Sequence, residues 1–107
     1  MTLVENIYRL TAMLLRSESY GLVSQLQRSA ISIPSNIAEG HARDSSKEYL
    51  RYISIAMGSL AELETQILIS ERLNYVTRER SQPLIQNIDE IGKMLRGVQK
   101  SLKVKVK

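Results

Sequence analysis

Five cations, Lys93, Arg96, Lys100, Lys103 and Lys107, recur at i, i+3, i+7, i+10 and i+14 near the end of the chain. On a helix of about 3.6 residues per turn they fall along one line. A line of fixed cations suits one chemistry, contact with successive phosphates, each contact releasing condensed counterions. Gln86 and Asp89 hold the same line upstream, so the charge is concentrated at the C-terminal end, where the tail Lys103-Val104-Lys105-Val106-Lys107 adds to it. The plain alternative is a solvated helix face whose cations complement the helix dipole. No aromatic side chain accompanies the stripe, so base stacking is not expected, and binding through it would be largely independent of base sequence.

Glu64 is the one carboxylate in the middle of an otherwise apolar arc. A buried carboxylate must be paired, hydrogen-bonded or protonated. Arg28, Asn36 or a tyrosine hydroxyl are its expected partners, and a structural polar lock or an interface group is its expected role. Arg28, Ser32, Ser35 and Glu39 share one face of a helical stretch with Asn36 beside them. They could form a polar site between helices with Ser59 and Glu62, or simply satisfy a proline distortion and local pairs such as Glu39 with Arg43. His41 is the only histidine. It cannot complete a hydrolytic triad with any placed serine and carboxylate, and Glu39 and His41 lack the E-x-x-H spacing of bundle metal sites. There is no cysteine and no phosphate-loop motif, so no catalytic residue, cofactor or metal is expected.

These groups need a scaffold, and the apolar pattern supplies one. Leu3, Ile7, Leu10 and Leu14 repeat at helical spacing, with Thr2 as N-cap and Arg16 in the last turn. Ser17 to Gly21 reads as a turn. Val23, Leu26, Ala30, Ile33, Ile37 and Gly40 mark a second helix that contains Pro34. That proline predicts a kink, with a break as the alternative, and Ser32 and Ser35 stand ready to satisfy freed backbone groups. Ser45 and Glu48 match a capping box. The helix they open carries Tyr49, Leu50, Ile53, Ala56, Met57, Leu60, Leu63, Ile67 and Leu68 round about half its circumference, with Ile55 and Ile69 on the other side. Gly40 is expected to relax the end of the second helix, and Gly58 to let helices approach closely. Thr77 can cap a fourth helix, disturbed early by Pro83, along which Leu84, Ile88, Ile91, Leu95, Val98 and Leu102 form one stripe. The terminal Lys-Val-Lys-Val-Lys is expected to fray.

The 107 residues predict one domain, 1–107, with helices at about 2–16, 22–42, 46–72 and 78–102. Short connections make sequential helices antiparallel, hence an all-α, up-down-up-down four-helix bundle. Hydrophobic content of 43% and charged content of 24% are ordinary for a globular chain. No apolar run approaches a membrane span and the N-terminus lacks a signal-peptide pattern, so a cytoplasmic protein without membrane association is expected. The net charge of +4 permits nucleic acid or acidic partners.

Ser32-Ile33-Pro34-Ser35-Asn36-Ile37-Ala38-Glu39-Gly40 resembles a signature of the bacterial four-helix bundle proteins, also called large-subunit ribosomal RNA intervening-sequence proteins. Tyr49-Leu50-Arg51-Tyr52 followed by Ile55-Ala56-Met57-Gly58-Ser59-Leu60-Ala61-Glu62-Leu63-Glu64-Thr65 resembles a second. Tyr20-Gly21-Leu22, leading to Gln25-Leu26 and Arg28-Ser29-Ala30, fits as well, and the likeness covers roughly residues 3 to 102. The resemblance implies a four-helix bundle that assembles as a ring, with a homopentamer suggested by the resemblance alone. Arg28, Asn36, Glu39, Ser59, Glu62 and Glu64 are the polar or interface positions of its motifs. Some members are encoded within ribosomal RNA genes. A related branch is an accessory to the reverse transcriptase of diversity-generating retroelements, with a basic surface for nucleic acid. The expected function is therefore a non-enzymatic, homo-oligomeric bundle that binds RNA or DNA, as accessory to a reverse transcriptase or another nucleic-acid enzyme. The alternative is a protein-interaction scaffold without a nucleic-acid role.

Overall fold

The computed structural model describes residues 2–14 and 20–106. They form α1 (Thr2–Leu14), α2 (Tyr20–His41), α3 (Ser46–Arg72) and α4 (Arg78–Lys105), with no strand among the described residues. The rod measures 49 × 20 × 19 Å. Cross-helix pairs fix the direction of each neighbour. Thr11 meets Gln27 between α1 and α2, and Ser32 meets Ser59 between α2 and α3. Gly40 meets Tyr49 and Tyr52, while Gly92 meets Leu60 between α3 and α4. All these pairings run antiparallel, giving the expected up-down-up-down bundle. The core is the expected apolar stripe: Ile7, Leu26, Ala30, Ile53, Ala56, Leu63 and Ile67 are fully buried.

The ends of the helices follow local chemistry. Ser45 caps α3, its Oγ accepting the Glu48 N–H at 3.2 Å. The reciprocal half of the capping box is replaced by a Glu48–Arg51 ion pair at 3.4 Å. At the other end of α3, Asn74 sits at φ 62. The Asn74 N–H donates to Glu71 O and the Tyr75 N–H to Ser70 O, the paired bonds of a Schellman stop, in which asparagine tolerates the left-handed position better than most residues. Thr77 precedes α4 with the backbone of an N-cap but makes no side-chain cap bond.

Several expectations are corrected. Thr2 is already helical, and Tyr20 and Gly21 belong to α2 rather than to a turn. The rest of that turn, with Leu15 and Arg16, lies outside the described residues, as does Lys107. α2 runs through Pro34 as the one helix expected, which excludes the alternative of a break, and α4 is helical from Arg78 onward through Pro83. Ser32 and Ser35 do not satisfy the freed backbone. Ser32 turns its hydroxyl to α3, and Ser35 is exposed. α4 continues past Leu102 to Lys105 instead of fraying, because buried Leu102 anchors the last turn and the Val106 N–H closes onto its carbonyl at 3.2 Å.

Gly40, not Gly58, is the glycine of close helix approach. A Cβ on Gly40 would stand 2.6 Å from Tyr52 Cβ and 2.9 Å from Tyr49 Cδ1, so Gly40 is where α2 and α3 approach closely. Gly58 is exposed with open space around it. The helices are also unequal in reach. α1 has 13 residues and α4 has 28, about 20 Å against about 42 Å at 1.5 Å per residue. The first turn of α1, at Leu3 and Val4, meets Ile33, Pro34 and Ile37 of α2 and Ile91 and Met94 of α4. Beyond that level, the half of the rod that holds the C-terminal part of α4 is made of three helices among the described residues.

Candidate nucleic-acid interface

α4 shows one side to α1 and another to α3. Ile91 and Met94 face the α1 side, lining an apolar cavity of about 190 Å³ with Leu3, Val4 and Pro34. Asp89, Gly92 and Arg96 face α3, lining a cavity of about 140 Å³ with Met57, Leu60, Ala61 and Glu64. The cationic stripe therefore lies toward α3. Lys93, Arg96, Lys100 and Lys103 are all exposed.

With Gly92 against Leu60, and both helices advancing about 1.5 Å per residue in opposite directions, Arg96 is about level with Ala56. Lys100 is then about level with Tyr52, and Lys103 with Tyr49. This brings the first turns of α3 alongside the stripe. Lys47 and Arg51 are exposed there and share a surface depression with Leu50, Ser54 and Ile55. From Lys93 to Lys103 the α4 wall is about 15 Å long. Lys47 and Arg51 are thus level with the C-terminal end of the stripe, in a depression lined by Ser45 and α3 residues alone. Glu48, beside them, is tied to Arg51. Lys47 and Arg51 were not found by reading α4 alone. The signal was present in the hairpin: counting back from the Asn74–Tyr75 turn places both level with the last turns of α4.

The polar positions of the motifs separate into two groups. Ser32, Asn36 and Ser59 come together: Ser32 Oγ and Ser59 Oγ are 2.7 Å apart, and Asn36 Nδ2 donates to Ser32 Oγ at 2.9 Å and to Ser32 O at 2.8 Å. This is a seam joining α2 to α3. Arg28, Glu39 and Glu62 are exposed and do not join it. Glu39 instead accepts from Arg43 Nη2 at 2.8 Å, the i to i+4 pair expected. Arg43 Nη2 also donates to the Tyr52 hydroxyl at 3.0 Å, and the guanidinium groups of Arg43 and Arg51 lie 5.3 Å and 5.5 Å from the Tyr52 ring centre. The hydrogen bond to Glu39, with Tyr52 adding to it, raises the Arg43 pKa above its ordinary value.

Glu64 is corrected from a buried carboxylate to a half-buried one. Neither Arg28, Asn36 nor a tyrosine bonds to it among the described residues. It lies on the α4 side of α3, where Gly92 offers no side chain to cover it, and it opens into the cavity shared with Asp89 and Arg96. His41 is exposed and stands edge-on to Tyr49, ring centres 5.7 Å apart. No group of three His, Cys, Asp or Glu converges among the described residues, and none of the described helices is long and apolar enough to cross a membrane.

The fold defines a class: an all-α antiparallel four-helix bundle, here with a polar seam between α2 and α3. The chain belongs to the 23S rRNA-intervening sequence protein family, whose model matches residues 1–97. It is similar, at 26% identity and a TM-score of 0.88, to a crystal structure of a protein of unknown function from the S23 ribosomal protein family of Bacteroides thetaiotaomicron. The likeness covers 92% of this chain and 93% of that one. No match is found among curated proteins.

Proposed function

We propose that this protein is a non-enzymatic, cytoplasmic, homo-oligomeric bundle that binds RNA or DNA through the α3–α4 face, as accessory to a nucleic-acid enzyme. The observation that supports the reading is the line of exposed Lys93, Arg96, Lys100 and Lys103 on the α3 side of α4, with exposed Lys47 and Arg51 of α3 level with its C-terminal end. Such a face tracks phosphates and reads no bases. Repetition of the face round an oligomer multiplies weak contacts through effective concentration. The test is charge reversal at Lys93, Arg96, Lys100 and Lys103, each to Glu. Gel-shift binding is lost while helicity is kept; retention of binding by the reversed variant rejects the face as the site.

A second reading rests on apolar side chains of α3, of which Ile55 lines the same depression as Lys47 and Arg51. Ile55 and Ile69 are 41% and 43% exposed on the outward side of α3, with open Gly58 between them, which supports a protein-interaction scaffold. A pull-down that survives nuclease and high salt favours that reading over the first.

A further inference from the structure

We propose that the cavity between α1, α2 and α4 binds a small apolar ring compound that carries a single hydrogen-bond donor. The site lies on the α1 side of α4, apart from the cationic stripe, and is independent of the nucleic-acid reading.

Three helices build it. Val4 of α1, Ala30, Ile33 and Pro34 of α2, and Ile91 and Met94 of α4 line a volume of about 190 Å³, and every described residue that lines it is apolar. Such a wall gives water few partners, whereas an aliphatic cavity of about 150 Å³ accepts a benzene ring. Room for about one or two fused rings follows. Met94 is 67% exposed, and its unbranched, flexible side chain can move aside to admit a ligand.

Pro34 supplies the polar element. In a helix the N–H of residue 34 donates to the carbonyl of residue 30, and proline has no N–H to give. α2 nonetheless continues through Pro34. The Ala30 carbonyl therefore points along the helix toward the proline ring, between two residues that both line the cavity. Ala30 is fully buried, which keeps bulk water from supplying the bond. A buried acceptor without a donor is costly. A ligand N–H or O–H aimed at the Ala30 oxygen removes that cost. Charged or many-hydroxyl ligands would bring polar groups that the apolar wall leaves unpaired.

The experiment is isothermal titration calorimetry of the full chain, with thermal denaturation in parallel, against indole and against indene, its isostere without an N–H. Indole binds saturably at one site per chain and raises Tm. It binds about two- to tenfold more tightly than indene, the worth of one hydrogen bond. Val4→Phe fills the cavity from its half-buried rim and abolishes binding of both compounds, while circular dichroism shows the helices kept. Pro34→Ala restores the N–H at residue 34 and satisfies Ala30 from within α2, so both compounds still bind and the preference for indole vanishes. Equal affinity of the two compounds for the wild type, a preference that persists in Pro34→Ala, or undiminished binding by Val4→Phe overturns the proposal. So does failure of both compounds to bind; self-association that Val4→Phe then abolishes in sedimentation would assign the cavity to a second copy of the chain instead.

Discussion

Replacing Gly40 and Gly58 by alanine moves stability in opposite directions. Neither glycine has a positive φ, so backbone conformation does not demand glycine at either place, and space alone decides. At Gly40 the new methyl would sit 2.6 Å from Tyr52 Cβ and 3.4 Å from the Tyr49 carbonyl oxygen. Both partners are fixed to the α3 backbone, so no rotamer change relieves the clash. Carbon atoms pack at about 3.5 to 4.0 Å, so α2 and α3 must separate by about 1 Å at this level. Overpacking of this kind costs about 1–3 kcal/mol, against which alanine recovers about 0.5–1 kcal/mol of helix propensity. The net loss is about 1–2 kcal/mol, or roughly 4–8 °C in Tm for a domain of this size. Gly58→Ala meets nothing within 4 Å and keeps the full propensity gain, a rise of roughly 2–4 °C. Thermal and urea unfolding followed by circular dichroism measure both. A Gly40→Ala protein as stable as wild type, or a common sign for the two variants, refutes the reasoning.

Ser59→Ala removes the α3 end of the polar seam and leaves the half-buried Ser32 hydroxyl without its 2.7 Å partner, a loss of about 1 kcal/mol in urea unfolding. A Ser32→Ala, Ser59→Ala cycle should show non-additivity of about 0.5 kcal/mol or more. Asn74, at φ 62, should gain a few tenths of a kcal/mol on change to Gly and lose about 1–2 kcal/mol on change to Val. A face about 15 Å long admits about four phosphates of one strand at about 3.4 Å each. RNA affinity measured by anisotropy should therefore fall about a hundredfold between 50 and 200 mM salt; a slope near zero contradicts phosphate binding.

The apolar periods carried the fold because each helix has one uninterrupted stripe and short connections leave few topologies. What they could not carry was which side of a helix meets which neighbour. Gly40 and Gly58 are alike by propensity. Only the packing of Tyr49 and Tyr52 onto α2 tells the tight contact from the open one. Glu64 looked buried because it falls in the middle of the apolar arc, between buried Leu60 and Ile67. It opens instead into a cavity that it shares with Gly92, 28 positions away in sequence. The cations of α4 were legible as a line, whereas Lys47 and Arg51 joined them only through the register of the α3–α4 hairpin.

That register also explains why the charge can gather where it does. In the half of the rod that α1 covers, burial is supplied by the fully enclosed Ile7, Leu26, Leu63 and Ile67. In the half that holds the C-terminal part of α4, α2 and α3 are joined by other contacts. There the chain uses close approach at Gly40 and the stacking of Arg43 and Arg51 on Tyr52. These contacts bind α2 to α3 and leave the outer side of the α3–α4 hairpin with no packing duty. Lysines can occupy it without desolvation, at the level of the last turns of α4, where the helix dipole favours cations.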